Sequence, residues 1–460
     1  MSAGMTPGIA DLSPLARRRE QKAWYWYDWA NSAYFTTILT VLFGPYMIAV
    51  SKAAAPPCAG DGCVEKVNVL GVGIAAGSLG GFLVTASTLI GAVVLPLVGA
   101  VIDRSPRKRV HMAGYAWAGA AFAASLFFMT GDKWQIGAVA IVASNILVGC
   151  SLVAHNAILN DIATEDERDR VSSRGWAWGY LGGGLLLLVN LGMVLGHDSL
   201  GMSKGFSVRL AMLSAAVWWA AFTFIPFLRL RDRAPTHLVE VGEGGLVRRS
   251  FGQLVTTLKE TRRYPMTLTF LLAYLFYNDG IQTVIGTAAV YGEEELGLAT
   301  EVLIATILLV QFVAFAGALL FGKLAETRGS VTLIRWGLVL WMVVVVSGFV
   351  LPAEQVVPFL LLAVGIGLVM GGTQALSRSF FSLLIPRGRE GEYFSLYQAL
   401  ERGTSWFGSL VFYLMFQLTG SYRPSIVALV VFFGLGLALL LRVDAQRGIR
   451  EAGNSVPTVV

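Results

Sequence analysis

The sequence predicts an all-α protein that crosses a lipid bilayer about twelve times, and three observations carry that prediction. The 460 residues are 55% hydrophobic and only 14% charged, with a mean hydropathy of +0.65. Soluble domains carry nearer ~25% charge, and so few charges would not cover a compact object in water. Apolar runs of about 20 residues, the length that spans a membrane, recur along the whole chain. Between them, loops rich in Lys and Arg alternate with loops poor in them, the pattern that orients membrane helices. Backbone polar groups cannot stay unpaired in hydrocarbon, so the runs are expected to be helices. The 52 glycines fit close helix packing in lipid.

In order, the spans read near 24–50, 76–101, 110–130, 135–159, 174–196 and 206–228, then 266–290, 301–323, 332–351, 356–378, 394–418 and 424–442. The stretch 229–264 carries Pro235, Gly242, Gly244, Gly245 and many charges. It reads as a linker between two six-helix units, 1–228 and 265–460, the second with a short tail. Arg17, Arg18 and Arg19 lead straight into the first span, which is expected to stay in place as a signal anchor.

Counted by alternate loops, Lys52, Lys66, Lys133, Lys204, Arg209 and Arg423 fall on one side and every other Lys and Arg on the other. Arg378 and Arg402 are taken with the tenth loop in that count. The asymmetry places both termini and the central linker in the cytoplasm, and the expected location is the cell membrane. The net charge of +6 is then a topology signal, and no nucleic-acid partner is expected. Cys150 lies in an apolar run. Cys58 and Cys63 lie in the polar stretch PPCAGDGC, where either a short disulfide in an oxidising compartment or two free thiols fit.

The two units look like repeats. GAVIDRSPRK after the second span matches GKLAETRGS after the eighth, pairing Asp103 with Glu326. NAILNDIA after the fourth span aligns with RSFFSLLIP after the tenth, pairing Asn160 with Ser382 at almost the same offset. Asp28 in YWYDWANSAY pairs with Asp279 in FYNDGIQTV. A repeat of six-helix units is an architecture used by secondary transporters.

At these residues the chain resembles the major facilitator superfamily. GAVIDRSPRK is similar to its signature loop, although Pro106 stands where a glycine is usual. The resemblance implies that Gly99 permits close helix contact, that Asp103 and Arg104 form a charge clasp between helices, and that Arg107 and Lys108 form the basic run. Glu326 and Arg328 occupy the corresponding loop of the second unit. A narrower likeness covers nearly the whole chain. Tyr27-Asp28-Trp29-Ala30-Asn31-Ser32-Ala33-Tyr34, NAILNDIATEDERDRVSSRGWAWGYLGG, FYNDGIQTVI and GGTQALSRSFFSLLIP resemble the autophagy-related vacuole effluxer family and its bacterial relatives. Its fungal members are similar to amino-acid exporters, so the resemblance implies efflux of amino acids or related polar solutes.

Ionisable groups inside a membrane are costly and mark candidate sites. Asp279 lies roughly 20 Å into its span at 1.5 Å per residue, where a carboxylate could take up and release a proton in each transport cycle. Asp28 is expected nearer a helix end, with Trp24, Trp26 and Trp29 as an interfacial belt and Asn31 as a local partner. Tyr34, His155, Asn156, Asn160, Gln282, Gln311 and Gln374 complete the candidate substrate or proton pathway; Asn156 and Asn160 share one helix face. Gly99, Asp103, Arg104, Arg107, Lys108, Glu326 and Arg328 form a candidate gate, and the charged stretch DIATEDERDR could break and reform ion pairs beside it. No Walker loop, nucleophile elbow or His/Cys metal pattern is visible, so no enzyme, cofactor or metal is expected. The expectation is a monomeric secondary transporter of a small solute, coupled to protons. The rivals are another cargo (a drug, sugar or lipid) or a non-transporting receptor or scaffold with a dry interface between its halves.

Overall fold

The computed structural model describes residues 13–56, 64–233, 262–403 and 405–460. Cys58, Cys63 and most of the expected linker lie outside them. The first helix starts earlier than hydropathy suggests. Ser13 accepts a hydrogen bond from the Ala16 amide and Pro14 opens the first turn of α1, Pro14–Ala33. A missing N–H at that position costs nothing. The chain continues through a π-helical stretch, Tyr34–Leu42, into α2, Phe43–Ala54.

A hairpin that the sequence reading did not foresee follows, β1 Lys66–Val69 against β2 Val72–Ala75, antiparallel. Its turn, Leu70-Gly71, has positive φ at both residues, the geometry of the tight hairpin turns that suit strand twist. The first half then runs α3 Leu79–Arg104, α4 Lys108–Ala124, α5 Trp134–Ile162, α6 Arg168–Leu195 and α7 Lys204–Arg229. The second runs α8 Pro265–Val290, α9 Thr300–Arg328, α10 Ser330–Phe349, α11 Val356–Leu383, α12 Glu390–Gly403, α13 Ser405–Thr419, α14 Tyr422–Ala428, α15 Val430–Leu441 and α16 Ala445–Glu451.

Nine helices among the described residues are long and apolar enough to cross a membrane. Three expected spans fall outside that set for visible reasons. α4 ends after 17 residues in a 3-10 turn, Ser125–Phe128. α8 has the length but carries Asn278, Asp279 and Gln282 in its middle. The span expected at 394–418 is made by two helices, α12 and α13.

The helix neighbours repeat between the halves. α1 packs on α6 and α7, α3 on α5, and α4 on α5 and α7; α8 packs on α13 and α15, α9 on α11, and α10 on α11 and α15. Each half also ties its first helix to its fourth through a tyrosine and a serine, Tyr27 to Ser151 and Tyr277 to Ser377. Small residues set the closeness of packing, as in lipid-embedded bundles: Gly175 and Gly179 of α6 lie against Asp28 and Ser32 of α1, and Gly183 against Thr36 of the π-helical stretch that follows. Between the halves, α3 crosses α12 and α6 crosses α9. At the first crossing a Cβ on Gly99 would overlap the Gly391 backbone; at the second a Cβ on Gly322, its repeat mate, would overlap the Ser173 side chain.

Candidate functional site

One side of the bundle, the face that carries the basic loops, is sewn shut between the halves. Asp103 accepts the Gly391 and Glu392 amides at 2.6 and 2.8 Å, capping the first turn of α12. Lys108 Nζ lies 3.1 Å from Asp161 and 3.8 Å from Glu390. Arg168 and Asn160 both donate to the Ser382 carbonyl, at 2.8 and 3.4 Å, and Ser379 donates to Asp169 at 2.5 Å. Arg387 reaches Glu165 at 2.9 Å. The C-terminal segment adds a strap: Asn454 donates to the Leu383 and Ile385 carbonyls of the second half, and Asp166 of the first half accepts the Thr458 amide.

Above this seal lies a cavity of about 920 Å³ between the halves. Its wall runs from Asp28 and Arg378 to Gly80, Leu303, Gly348 and Phe359, which stand at the helix ends on the opposite face. Asp28 and Arg378 form its charged centre. The Arg378 guanidinium meets both Asp28 carboxylate oxygens, at 3.1 and 3.2 Å, and donates to the Ser172 hydroxyl and carbonyl at 2.9 Å each. It also sits 4.7 Å from the Trp24 ring centre and 5.3 Å from that of Trp176. This planar, doubly bonded and stacked arrangement is one that Arg makes and Lys cannot. His155 stacks on Trp24 at 4.2 Å with Nε2 3.3 Å from Asp28. Arg402 donates to the Asn145 carbonyl and side-chain oxygen at 2.9 and 3.2 Å, and Tyr180 donates to Gln374 at 2.6 Å.

Of the residues expected from the sequence, Asp28, Asn31, Asn156, Gln282, Gln311 and Gln374 line this cavity. Tyr34 and His155 lie just behind it, Tyr34 bonded to Ser144 at 2.9 Å. Asn160 sits in the seal. Asp279 is fully buried but is not on the cavity wall: Oδ2 accepts the Gly408 amide of α13 at 2.9 Å, and Oδ1 has no partner among the described residues.

Several expectations need correction. Asp28 is not near a helix end, because α1 begins ten residues before Trp24; Trp24 is fully buried rather than interfacial, and Trp26 and Trp29 pack on Trp178 and Phe222. Asp103 bonds backbone amides rather than clasping Arg104, and Lys108 makes the charged contact; Arg104 and Arg107 are exposed. Glu326 is exposed where its repeat mate Asp103 is buried, and Arg328 lies over the Trp336 ring at 5.4 Å. Arg378 and Arg402 belong to helices, not to a loop. Sequence reasoning passed over them, with Tyr180, Gln398 and Glu401 on the same wall. Their signal was available: both arginines stand next to the polar stretches GGTQALSRS and YQALERG rather than in a hydrophilic run.

A paired-bundle fold with a chamber between its halves, charged at its centre, is that of a major facilitator transporter. The human organic anion transporter MFSD10 (TETRAN) has the same fold, with a TM-score of 0.69 at 15% identity, covering 93% of this chain and all of that one. The Bacillus subtilis protein YxiO, described as an uncharacterized MFS-type transporter, is 29% identical over 443 residues, 95% of this chain and 98% of its own. Autophagy-related protein 22 of Yarrowia lipolytica is 25% identical, over 87% of this chain and 80% of its own. The family model for vacuole effluxer Atg22-like proteins matches residues 16–453. The chain belongs to that family and is a multi-pass, MFS-type transporter.

Proposed function

We propose that this transporter works by alternating access as an exporter of amino acids or similar small polar metabolites, coupled to protons. Units 1–228 and 265–460 rock about the central site, and 229–264 links them. The protein is a monomer in the cell membrane with both termini in the cytoplasm. The observation that carries this reading is the charge pattern of the cavity: Asp28 and Glu401, Arg378 and Arg402, and the amides Asn31, Asn145, Asn156, Gln282, Gln311 and Gln374 all line it. Charges of both signs with amides between them suit a zwitterion. A non-transporting scaffold would call for closely packed halves rather than an open cavity between them. The family's description, vacuole effluxer, supports the direction of transport. Asp279, buried with one oxygen unpartnered among the described residues, is the proposed proton carrier.

Purified protein in proteoliposomes tests the reading, with radiolabelled neutral amino acids and an imposed pH gradient. Saturable amino-acid flux that follows the gradient supports it. Flux of a sugar or an amphipathic drug with none of any amino acid would overturn it.

A further inference from the structure

Two amide side chains that line the cavity each keep an oxygen with no hydrogen-bond partner among the described residues. Asn156 Oδ1, on α5, and Gln398 Oε1, on α12, are buried acceptors with no hydrogen-bond partner among the described residues. Both side chains line the cavity, yet they are only 1% and 4% exposed. Buried polar atoms in folded proteins are nearly always satisfied, so each such exception calls for an account.

The Gln398 amide is oriented by its neighbour. Its Nε2 donates to Glu401 Oε2 at 2.7 Å. An ionised carboxylate only accepts, so the amide turns its NH2 toward Glu401 and is left with its oxygen unspent. Glu401 is itself on the cavity wall. The two helices bearing these groups run side by side, joined where Arg402 bonds Asn145. α5 runs toward the basic face and α12 away from it, so Asn156 and Gln398 both lie on the basic-face side of that joint.

We infer that Asn156, Gln398 and Glu401 form the subsite for a primary ammonium on the cargo. An ammonium carries three donors and no acceptor, which matches two amide oxygens and a carboxylate. A hydroxyl offers one donor and no charge, and it leaves most of this set unmet. Arg402 and Arg378 line the same cavity and face the cargo's carboxylate, so the cargo is held in one orientation. The inference rests on the reading of a small zwitterionic cargo and names the groups that select it.

The test compares neutral L-amino acids with the 2-hydroxy acids that bear the same side chains, as competitors of amino-acid counterflow in proteoliposomes. In the wild-type protein the hydroxy acids compete roughly ten- to hundred-fold less well, the factor carried by one hydrogen bond to a charged group. Gln398→Met and Asn156→Leu weaken competition by amino acids and leave that by hydroxy acids within about two-fold, so the preference collapses. Asn156→Asp, which keeps an acceptor oxygen, retains it. A variant that merely misfolds loses both classes of competitor together, and Asn156→Asp then decides. Equal competition by both classes in the wild type overturns the subsite, as does a full preference in Gln398→Met. Absence of any amino-acid counterflow defeats the broader reading instead, so the two failures have separate signatures.

Discussion

Asp28 and Asp279 stand at the same distance from the proline that opens their helices, Pro14 in α1 and Pro265 in α8. Only the first reaches across the interface. Asp28 is held by Arg378 of the other half; Asp279 stays within its own half on the Gly408 amide. The register that pairs Asn160 with Ser382 also pairs Asn156 with Arg378. The second half therefore lends a cation to the first aspartate, and the first half has an amide where the reciprocal cation would stand. One position converts a symmetric scaffold into an asymmetric site: Asp28 is paired with a cation across the halves, whereas Asp279 meets a backbone amide of its own half.

That contrast can be broken most forcibly at Arg378. Arg378→Gln leaves Asp28 buried without its partner, and removing one member of a buried pair costs about 3–5 kcal/mol. The expected result is a large drop in thermal stability in detergent and loss of flux. Adding Asp28→Asn restores more than half of the stability, because the uncompensated charge is gone. A single-variant loss below about 1 kcal/mol would mean the pair does not hold the interface.

Gly99→Ala comes next in size. Its methyl group meets backbone, not a yielding side chain, and such overpacking costs about 1–3 kcal/mol. The penalty falls on the sealed state of the basic face. A cysteine at Ser379, in a background without the three native cysteines, should be alkylated roughly ten-fold faster in this variant.

Asp279→Asn sharpens the comparison from the other side. Asparagine keeps an acceptor oxygen for the Gly408 amide, so stability should change by less than about 1 kcal/mol. Flux should nevertheless lose its dependence on the pH gradient, whereas an apolar control substitution beside it keeps that dependence. Gradient-driven flux that persists unchanged in Asp279→Asn would remove the carboxylate from the proton path. The smallest effect is expected at Arg387→Gln. This arginine is 57% exposed beside Glu165, and exposed pairs contribute up to about 1 kcal/mol, a shift that thermal unfolding would barely register.

Much of this architecture was legible in the sequence because lipid imposes a simple rule: apolar length makes a helix. The repeat was legible too, and Asn160 and Ser382, aligned as equivalents, prove to touch. Depth was the hardest quantity to read. Counting positive charges assigns every arginine to water, so Arg378 and Arg402 were placed in a loop although both lie within helices and one is the central cation. Hydropathy likewise starts the first helix where the apolar residues begin, which moved Asp28 toward the surface; Ser13 and Pro14, a helix-start pair, carried the truer signal. Partner identity was not legible at all. That Asp103 would cap α12 depends on two helices far apart in sequence crossing at two glycines.

Those glycines, Gly99 and Gly391, have a consequence for the cell's energy supply. A membrane that stores a voltage or an ion gradient is drained by any pore it contains, however briefly it opens. Where main chain lies directly on main chain, no side chain can swing aside to let a hydrated ion slip through. The crossing thus makes the barrier tight, and each methylene added there would be paid in leakage.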